Sequence, residues 1–210
     1  MARKAAVKMR SDVRREQVVQ AALRIIGKKG VGGLTTSAIA RAVGVSEANL
    51  YRHFRNKEEI LFETGKSIGG AIRKNLEVVL ASPIRPVLKL KRAFLLHLEF
   101  IEKNEGIPRL GFSEEMHINN KRLKKEFLKN MELYASGLEA LFRDGQRLGS
   151  IRRDVDCRAL AAMLIGMVQV LIMRWSLSGF SFPLKTGGMK LWNNFEKCIV
   201  PERPVAGRSL

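Results

Sequence analysis

Asn49 and Arg52 stand three apart in the run SEANLYRHF, one helical turn from each other. Both offer paired hydrogen bonds in one plane. A carboxamide matches an adenine edge, and a guanidinium matches a guanine edge. Glu47, Ala48 and His53 fall on the same exposed face. Glu47 can accept from a cytosine amine, or it can support a helix N-terminus electrostatically. Thr36 opens an earlier helix, where a hydroxyl and a backbone N–H suit a phosphate oxygen. The chemistry offered is non-covalent recognition of an anionic, hydrogen-bonding partner. Nothing has the spacing of a Ser-His-Asp set, a phosphate-binding glycine loop or a zinc site. His117 beside Glu114 and Glu115 reads as polar helix surface, and Glu99, Glu102 and Glu105 as a solvated face.

These side chains need two short helices held at a fixed angle. Thr35 and Thr36 supply a hydroxyl cap before Ile39, Ala40 and Val43, the apolar stripe of the first. Gly44 follows the last apolar position, where a left-handed residue ends a helix. Ser46 is the next cap candidate, and Leu50 and Phe54 place a second stripe at i, i+4. Asn56 offers a third cap, with Glu59 at the capping-box position. Three helix starts in close succession, with a glycine turn between the first two, spell a helix-turn-helix.

Charge agrees with an anionic partner. The 210 residues carry 38 Lys and Arg against 20 Asp and Glu, a net +18 with a pI near 10.5. The excess is denser over residues 1–66, where the two short helices lie. Cys157 and Cys198 lack metal or redox spacing, which predicts free thiols in a reducing cytoplasm. The N-terminus has no apolar core of a signal peptide. The apolar run at residues 159–173 is short for a bilayer and reads as a buried helix. No cofactor and no membrane partner are expected.

Taken in order, residues 1–15 read as a basic arm (Arg3, Lys4, Lys8, Arg10, Arg14, Arg15), with Ser11 or Asp12 capping helix 1. Such an arm is either solvated, or follows a phosphate backbone or enters a minor groove beside the main contact. Val19, Ala22, Leu23 and Ile26 give that helix its stripe. Helix 4 starts near Lys57 and runs to about Leu80, ahead of Ser82-Pro83 and Arg85-Pro86. Residues 86–103 form helix 5. A break follows at 106–111, then a short helix at 112–118. Helix 7 spans about 120–148, with apolar residues alternating three and four apart. Helix 8 at 157–177 is apolar nearly all round and must bury several faces. Helix 9 spans 184–198, and a loose tail begins at Pro201. No strand is predicted. Phe94, Phe100, Phe112, Met116, Phe127, Met131, Met163 and Met167 supply aromatic and thioether surface for an apolar pocket. Ala162 and Gly166, four apart on helix 8, permit close helix approach.

The stretch TTSAIARAVGVSEANLYRHFRNKEEIL resembles the N-terminal signature of the TetR/AcrR family of transcriptional regulators. The likeness rests on the threonine pair, Ile39-Ala40, Gly44-Val45-Ser46, Leu50-Tyr51, His53-Phe54 and Lys57-Glu58. It covers about residues 12–65; beyond that, only helix number and length fit. The resemblance implies an all-α fold: an N-terminal three-helix DNA-binding domain (1–56), a larger C-terminal effector-binding and dimerisation domain (57–200) and a tail (201–210), about nine helices in all. It implies a homodimer that represses a pseudo-palindromic operator until a small effector, of unknown identity, binds among helices 4 to 8. Ser46, Glu47, Ala48, Asn49 and Arg52 then belong to the DNA-binding face, with Thr36, Tyr51, His53 and Lys57 at phosphates. Helices 8 and 9 pair across the two-fold axis, bringing Ala162, Gly166, Trp192 and Phe195 to the interface. Many relatives carry a small residue or proline at the Glu47 position, so base preference does not carry over.

Overall fold

Helix-period apolar stripes, punctuated by caps and glycines, produce nine α-helices among the described residues of the computed structural model. These are residues 2–201, with side chains from Asp12 onward. The helices are α1 (Ala2–Lys29), α2 (Thr36–Val43), α3 (Glu47–Tyr51), α4 (Lys57–Leu80), α5 (Pro86–Glu102), α6 (Gly106–Gly111), α7 (Lys121–Arg147), α8 (Cys157–Leu177) and α9 (Leu184–Ile199). A single π turn, Glu115–Asn119, precedes α7. The all-α expectation holds, and most boundaries fall within a residue or two of the caps. Asn120 accepts from the Leu123 N–H at 2.9 Å to open α7, and Asp156 accepts from Ala159 at 2.6 Å to open α8.

Two expectations about where helices begin and end change. The basic arm is not separate from helix 1, because α1 is continuous from Ala2. Residues 2–26 contain no Gly or Pro, and Ala, Lys, Arg and Met all favour helix, so Ser11 and Asp12 sit inside it rather than cap it. The side chains of the first eleven residues, and the tail at 202–210, lie outside the described part. The second change is at residues 106–118. The break containing Pro108 is helix α6, since proline is tolerated in a first helical turn. The short helix expected at 112–118 is present as the π turn, beginning about three residues later, after a turn at Phe112 and a bend at Ser113.

The small N-terminal core gathers Val18, Ala22 and Ile26 of α1, Ile39, Leu50, Phe54, and Ile60 and Leu61 of α4. Leu110, Met116 and Leu123 close it from the other side. The larger core lies among α4, α5, α7, α8 and α9, centred on Leu90, Phe94, Leu138, Phe142 and Trp192. Helix α4 belongs to both. Helix α7 runs parallel to it at close range: a Cβ on Gly65 would overlap Leu123, and one on Gly69 would come within 2.5 Å of the Asn130 side chain. Helix α9 is fastened at its start, where Glu102 accepts from the Leu184 N–H at 2.6 Å and Glu99 pairs with Lys185. Two of the acids read as a solvated face therefore hold a neighbouring helix.

Helix α8 has 21 residues and is apolar and long enough to match a bilayer span. Leu160, Leu164, Val168, Leu171 and Trp175 bury one side of it in the larger core. Contrary to the expectation of burial on several faces, Met163, Val170, Met173 and Leu177 point out of the protomer, the last 78% exposed.

Helix α6 meets α1 backbone to backbone. A Cβ on Gly106 would overlap the Leu23 carbonyl oxygen, and one on Gly27 would lie 3.1 Å from the Gly106 nitrogen. Gly106→Ala should therefore cost about 1–3 kcal/mol in denaturant unfolding. Gly111→Ala, on the same short helix with open space around its Cβ, should stay within about 1 kcal/mol of wild type.

Candidate nucleic-acid interface and ligand cavity

The α2–α3 turn is built as its residues dictate. Thr35 accepts from the Ala38 N–H at 3.1 Å, Gly44 ends α2 at φ 69°, and Ser46 accepts from the Asn49 N–H at 3.2 Å. Leu50 and Phe54 are buried, fixing which face of α3 turns outward. Glu47, Ala48, Tyr51 and Arg52 are exposed; Thr36, Asn49, His53 and Lys57 are half-buried along the same edge. Every sequence-predicted recognition residue thus keeps at least partial exposure. Ser46 is committed as a cap. The Thr36 hydroxyl donates to the Glu47 carboxylate at 2.7 Å, which ties α2 to α3. That leaves the Thr36 backbone N–H as the group best placed for an anion.

Arg15, read from sequence as part of a basic arm, is a clamp. Its guanidinium donates to the His53 carbonyl, lies 4.4 Å from the centre of the Phe54 ring, and pairs with Glu59 and Glu63 at 3.4 Å each. Arg14 donates to the Val43 carbonyl at 3.4 Å. Asn56 caps α4, accepting from Glu59 N–H at 2.9 Å, while the Glu59 carboxylate accepts from the Arg55 N–H at 2.7 Å. That bond, then Arg15, holds the Glu59 carboxyl below its ordinary pKa despite partial burial. No local pattern marks Arg15, because its partners lie on other elements.

The first turns of α7 add positive surface beside this head. Lys121, Arg122, Lys124, Lys125 and Lys129 are exposed. Asn120 donates to the Glu58 carbonyl at 3.4 Å, and Arg122 covers the Phe62 ring at 3.7 Å, so α7 begins alongside the start of α4.

Above the head, α4, α5, α6, α7 and α8 enclose a cavity of about 150 Å³. Phe112, Met116, Phe127 and Met131 line it as the sequence predicts. Phe94, Phe100, Met163 and Met167 do not. Phe94 is fully buried in the larger core, 6.0 Å from the Trp192 ring; Phe100 and Met167 pack on that core; Met163 faces outward. The composition was right for these four, but the helical phase turned each elsewhere. Sequence reading missed His97, Asn130, Tyr134 and Gln169, the polar members of an otherwise apolar wall. Asn130 is engaged, donating to the Glu126 carbonyl at 2.7 Å and accepting from Arg73 at 3.0 Å. His97 stands edge-on to Tyr134 with ring centres 5.1 Å apart, and its Nδ1 has no hydrogen-bond partner. Burial lowers the His97 pKa to about 4 and raises that of Tyr134.

The residues named for an interface divide. Ala162 is exposed, and Gly166 has open space where a Cβ would be. Trp192 and Phe195 are 0% and 5% exposed and pack in the protomer's own core, against Phe94 and Phe142. Large aromatic rings on an amphipathic helix turned inward, and the outward stripe belongs to α8. His117 contacts the Gly111 carbonyl at 3.1 Å, and no group of three metal-ligating side chains occurs among the described residues.

Residues 18–64 match the family described as bacterial regulatory proteins, tetR family, and residues 61–194 match the YsiA-like protein C-terminal region. The chain is 28% identical over 174 residues to the nucleoid occlusion factor SlmA of Vibrio atlanticus, covering 82% of this chain and 89% of that protein. Its fold is shared with the fatty acid degradation regulator FadR of Bacillus halodurans (TM-score 0.77, 20% identity, 87% of this chain and 94% of the other). It is also shared with FadR of Bacillus subtilis, solved in complex with stearoyl-CoA (TM-score 0.73, 21% identity, 86% and 96%).

The buried imidazole makes stability depend on pH. The unfolded chain takes up a proton at its ordinary pKa near 6.5, whereas the folded chain resists until about 4. Stability conferred by the neutral ring is present above 6.5 and is lost as pH falls toward 4, by up to about 3 kcal/mol. His97→Leu should flatten that part of the stability profile, measured by urea unfolding across the range.

Proposed function

Since the chain belongs to the TetR family of bacterial transcriptional regulators, we propose that it is a dimeric repressor of a pseudo-palindromic operator, released when a small apolar effector enters the cavity. The DNA-binding reading is carried by the head, where buried Leu50 and Phe54 leave Ala48, Tyr51 and Arg52 exposed. Helix α3 lies in the major groove with Asn49 and Arg52 at base edges. Tyr51, His53, Lys57 and the start of α2 hold phosphates. Phosphate contacts supply most of the affinity, so binding falls steeply with salt. The protein acts on chromosomal DNA in the cytoplasm and is not an enzyme.

The two-fold contact uses the outward stripe of α8: Ala162, Met163, Gly166, Val170, Met173 and Leu177. A protomer alone would leave this apolar surface wet. Domain division follows function: residues 1–56 hold DNA, and 57–200 sense and pair. Helix α4 couples them, since Lys57 opens it at the DNA while Ile68 and Ile72 line the cavity. Helix α6 offers a parallel route, lining the cavity through Ile107, Pro108 and Leu110 while resting on α1. A coupling of about 1–3 kcal/mol would weaken DNA binding about 5–150-fold.

A second reading is favoured by the likeness to a nucleoid occlusion factor. The chain would then bind many chromosomal sites without a small-molecule input. Recovery of bound duplexes from a random pool separates the two: a short list of strong palindromes supports the repressor, and a broad spread of equal sites supports the alternative.

Arg52→Ala should relax sequence preference by about 1–3 kcal/mol at one base position, whereas Lys57→Ala should weaken all duplexes alike. Unchanged preference in both would remove Arg52 as a reader. Light scattering at micromolar concentration should give twice the chain mass, and Val170→Glu should give the mass of one chain; a dimeric Val170→Glu variant would contradict the α8 interface.

A further inference from the structure

Two polar side chains of the cavity wall, His97 and Tyr134, make no hydrogen bond with the described residues. His97 is half-buried and lines the cavity. Its Nδ1 has no partner. The Nδ1 itself is closed off from solvent, so a ligand hydroxyl meets the imidazole at the ring nitrogen that the cavity leaves open, and that pairing offsets part of the cost of an unpartnered polar ring. The other polar wall groups are placed differently. Asn130 is occupied by Glu126 and Arg73, Gln169 reaches toward Met131 at 3.9 Å, and Tyr134 presents its ring to the imidazole. Most of the remaining lining is apolar, including Ile68, Ile72, Ile101, Ile165, Val168 and Ile172.

We propose that the cavity takes an uncharged, mainly apolar molecule whose hydroxyl group, of the phenol or alcohol type, pairs with the His97 imidazole. This deepens the reading of the cavity as the effector site and rests on it. Three observations carry the chemistry. No Lys, Arg, Asp or Glu lines the cavity, so a carboxylate or an ammonium would leave water with no counter-charge. A neutral imidazole has one donor and one acceptor nitrogen, and a hydroxyl does both, so it satisfies either tautomer where a bare carbonyl or an amine N–H suits only one. A volume of about 150 Å³ is that of a void that holds a single aromatic ring. Phe112 and Phe127 line the cavity and are also exposed, forming a rim past which a longer substituent reaches solvent.

The test uses full-length protein and three fluorinated probes followed by 19F NMR titration at neutral pH: 4-fluorophenol, 4-fluorotoluene and 4-fluorobenzoate. The phenol-to-toluene affinity ratio is expected to be about tenfold higher in wild type than in His97→Leu, and the benzoate is expected not to bind. In wild type, the 15N shift of the His97 imidazole should move with the phenol and stay put with the toluene, a readout that does not require the variant to fold. An equal ratio in the two proteins, or a silent imidazole on saturation with phenol, overturns the pairing. Benzoate binding as tight as that of phenol overturns the exclusion of charge. If neither neutral probe enters wild type, the cavity reading fails and the pairing fails with it, whereas two neutral probes that bind without regard to His97 leave the cavity reading standing.

Discussion

A five-residue helix cannot hold itself. Nucleating the first turn fixes several dihedrals for one hydrogen bond, and α3 ends before propagation repays that cost. Its existence depends on burying Leu50 and Phe54 and on the ties around them: the Ser46 cap, the Thr36–Glu47 bond, and Arg15 against the His53 carbonyl and the Phe54 ring. The same constraint orients the exposed face. Because the apolar pair must point inward, Ala48, Tyr51 and Arg52 have nowhere to go but out. Recognition and stability therefore share one segment, and α1 and α4 are the walls that make it possible.

The rest of the molecule extends that constraint. Helix α4 contributes Ile60 and Leu61 to the head and Leu76 and Val79 to the larger core, so neither end moves freely of the other. Glycines at 65 and 69 let α7 lie close against it. Close packing leaves few voids, and the one beside α4 is walled by five helices. Its polarity comes from His97, Asn130, Tyr134 and Gln169, and the neutral state of the His97 ring is set by burial rather than by a neighbouring charge.

What was legible in the sequence was local. Caps, the Gly44 turn and the i, i+4 pair at Leu50 and Phe54 are written in adjacent residues, and the head follows them closely. The span of α8 was equally plain, because its apolar run is uninterrupted by charge for most of its length. The cavity was half legible. Phe112, Met116, Phe127 and Met131 were found by residue type, but Phe94 and Met163 were not excluded, since inside and outside differ by helical phase relative to neighbours that the sequence does not position. Trp192 and Phe195 failed for the same reason. His97 gave no signal, because a lone histidine on an apolar face says nothing until its surroundings close around it. Continuous α1 was missed through a misleading cue: Ser11 and Asp12 resemble a start, and nothing before them forbids helix.

The meeting of Gly27 and Gly106 has a mechanical consequence. Where two helices touch through side chains, small displacements are absorbed by rotamer changes, as in an elastic bushing. Here the main chains bear on each other directly, with no such padding between them. A shift of α6 would therefore reach α1 with little of it lost in side-chain rearrangement, as through a rigid linkage.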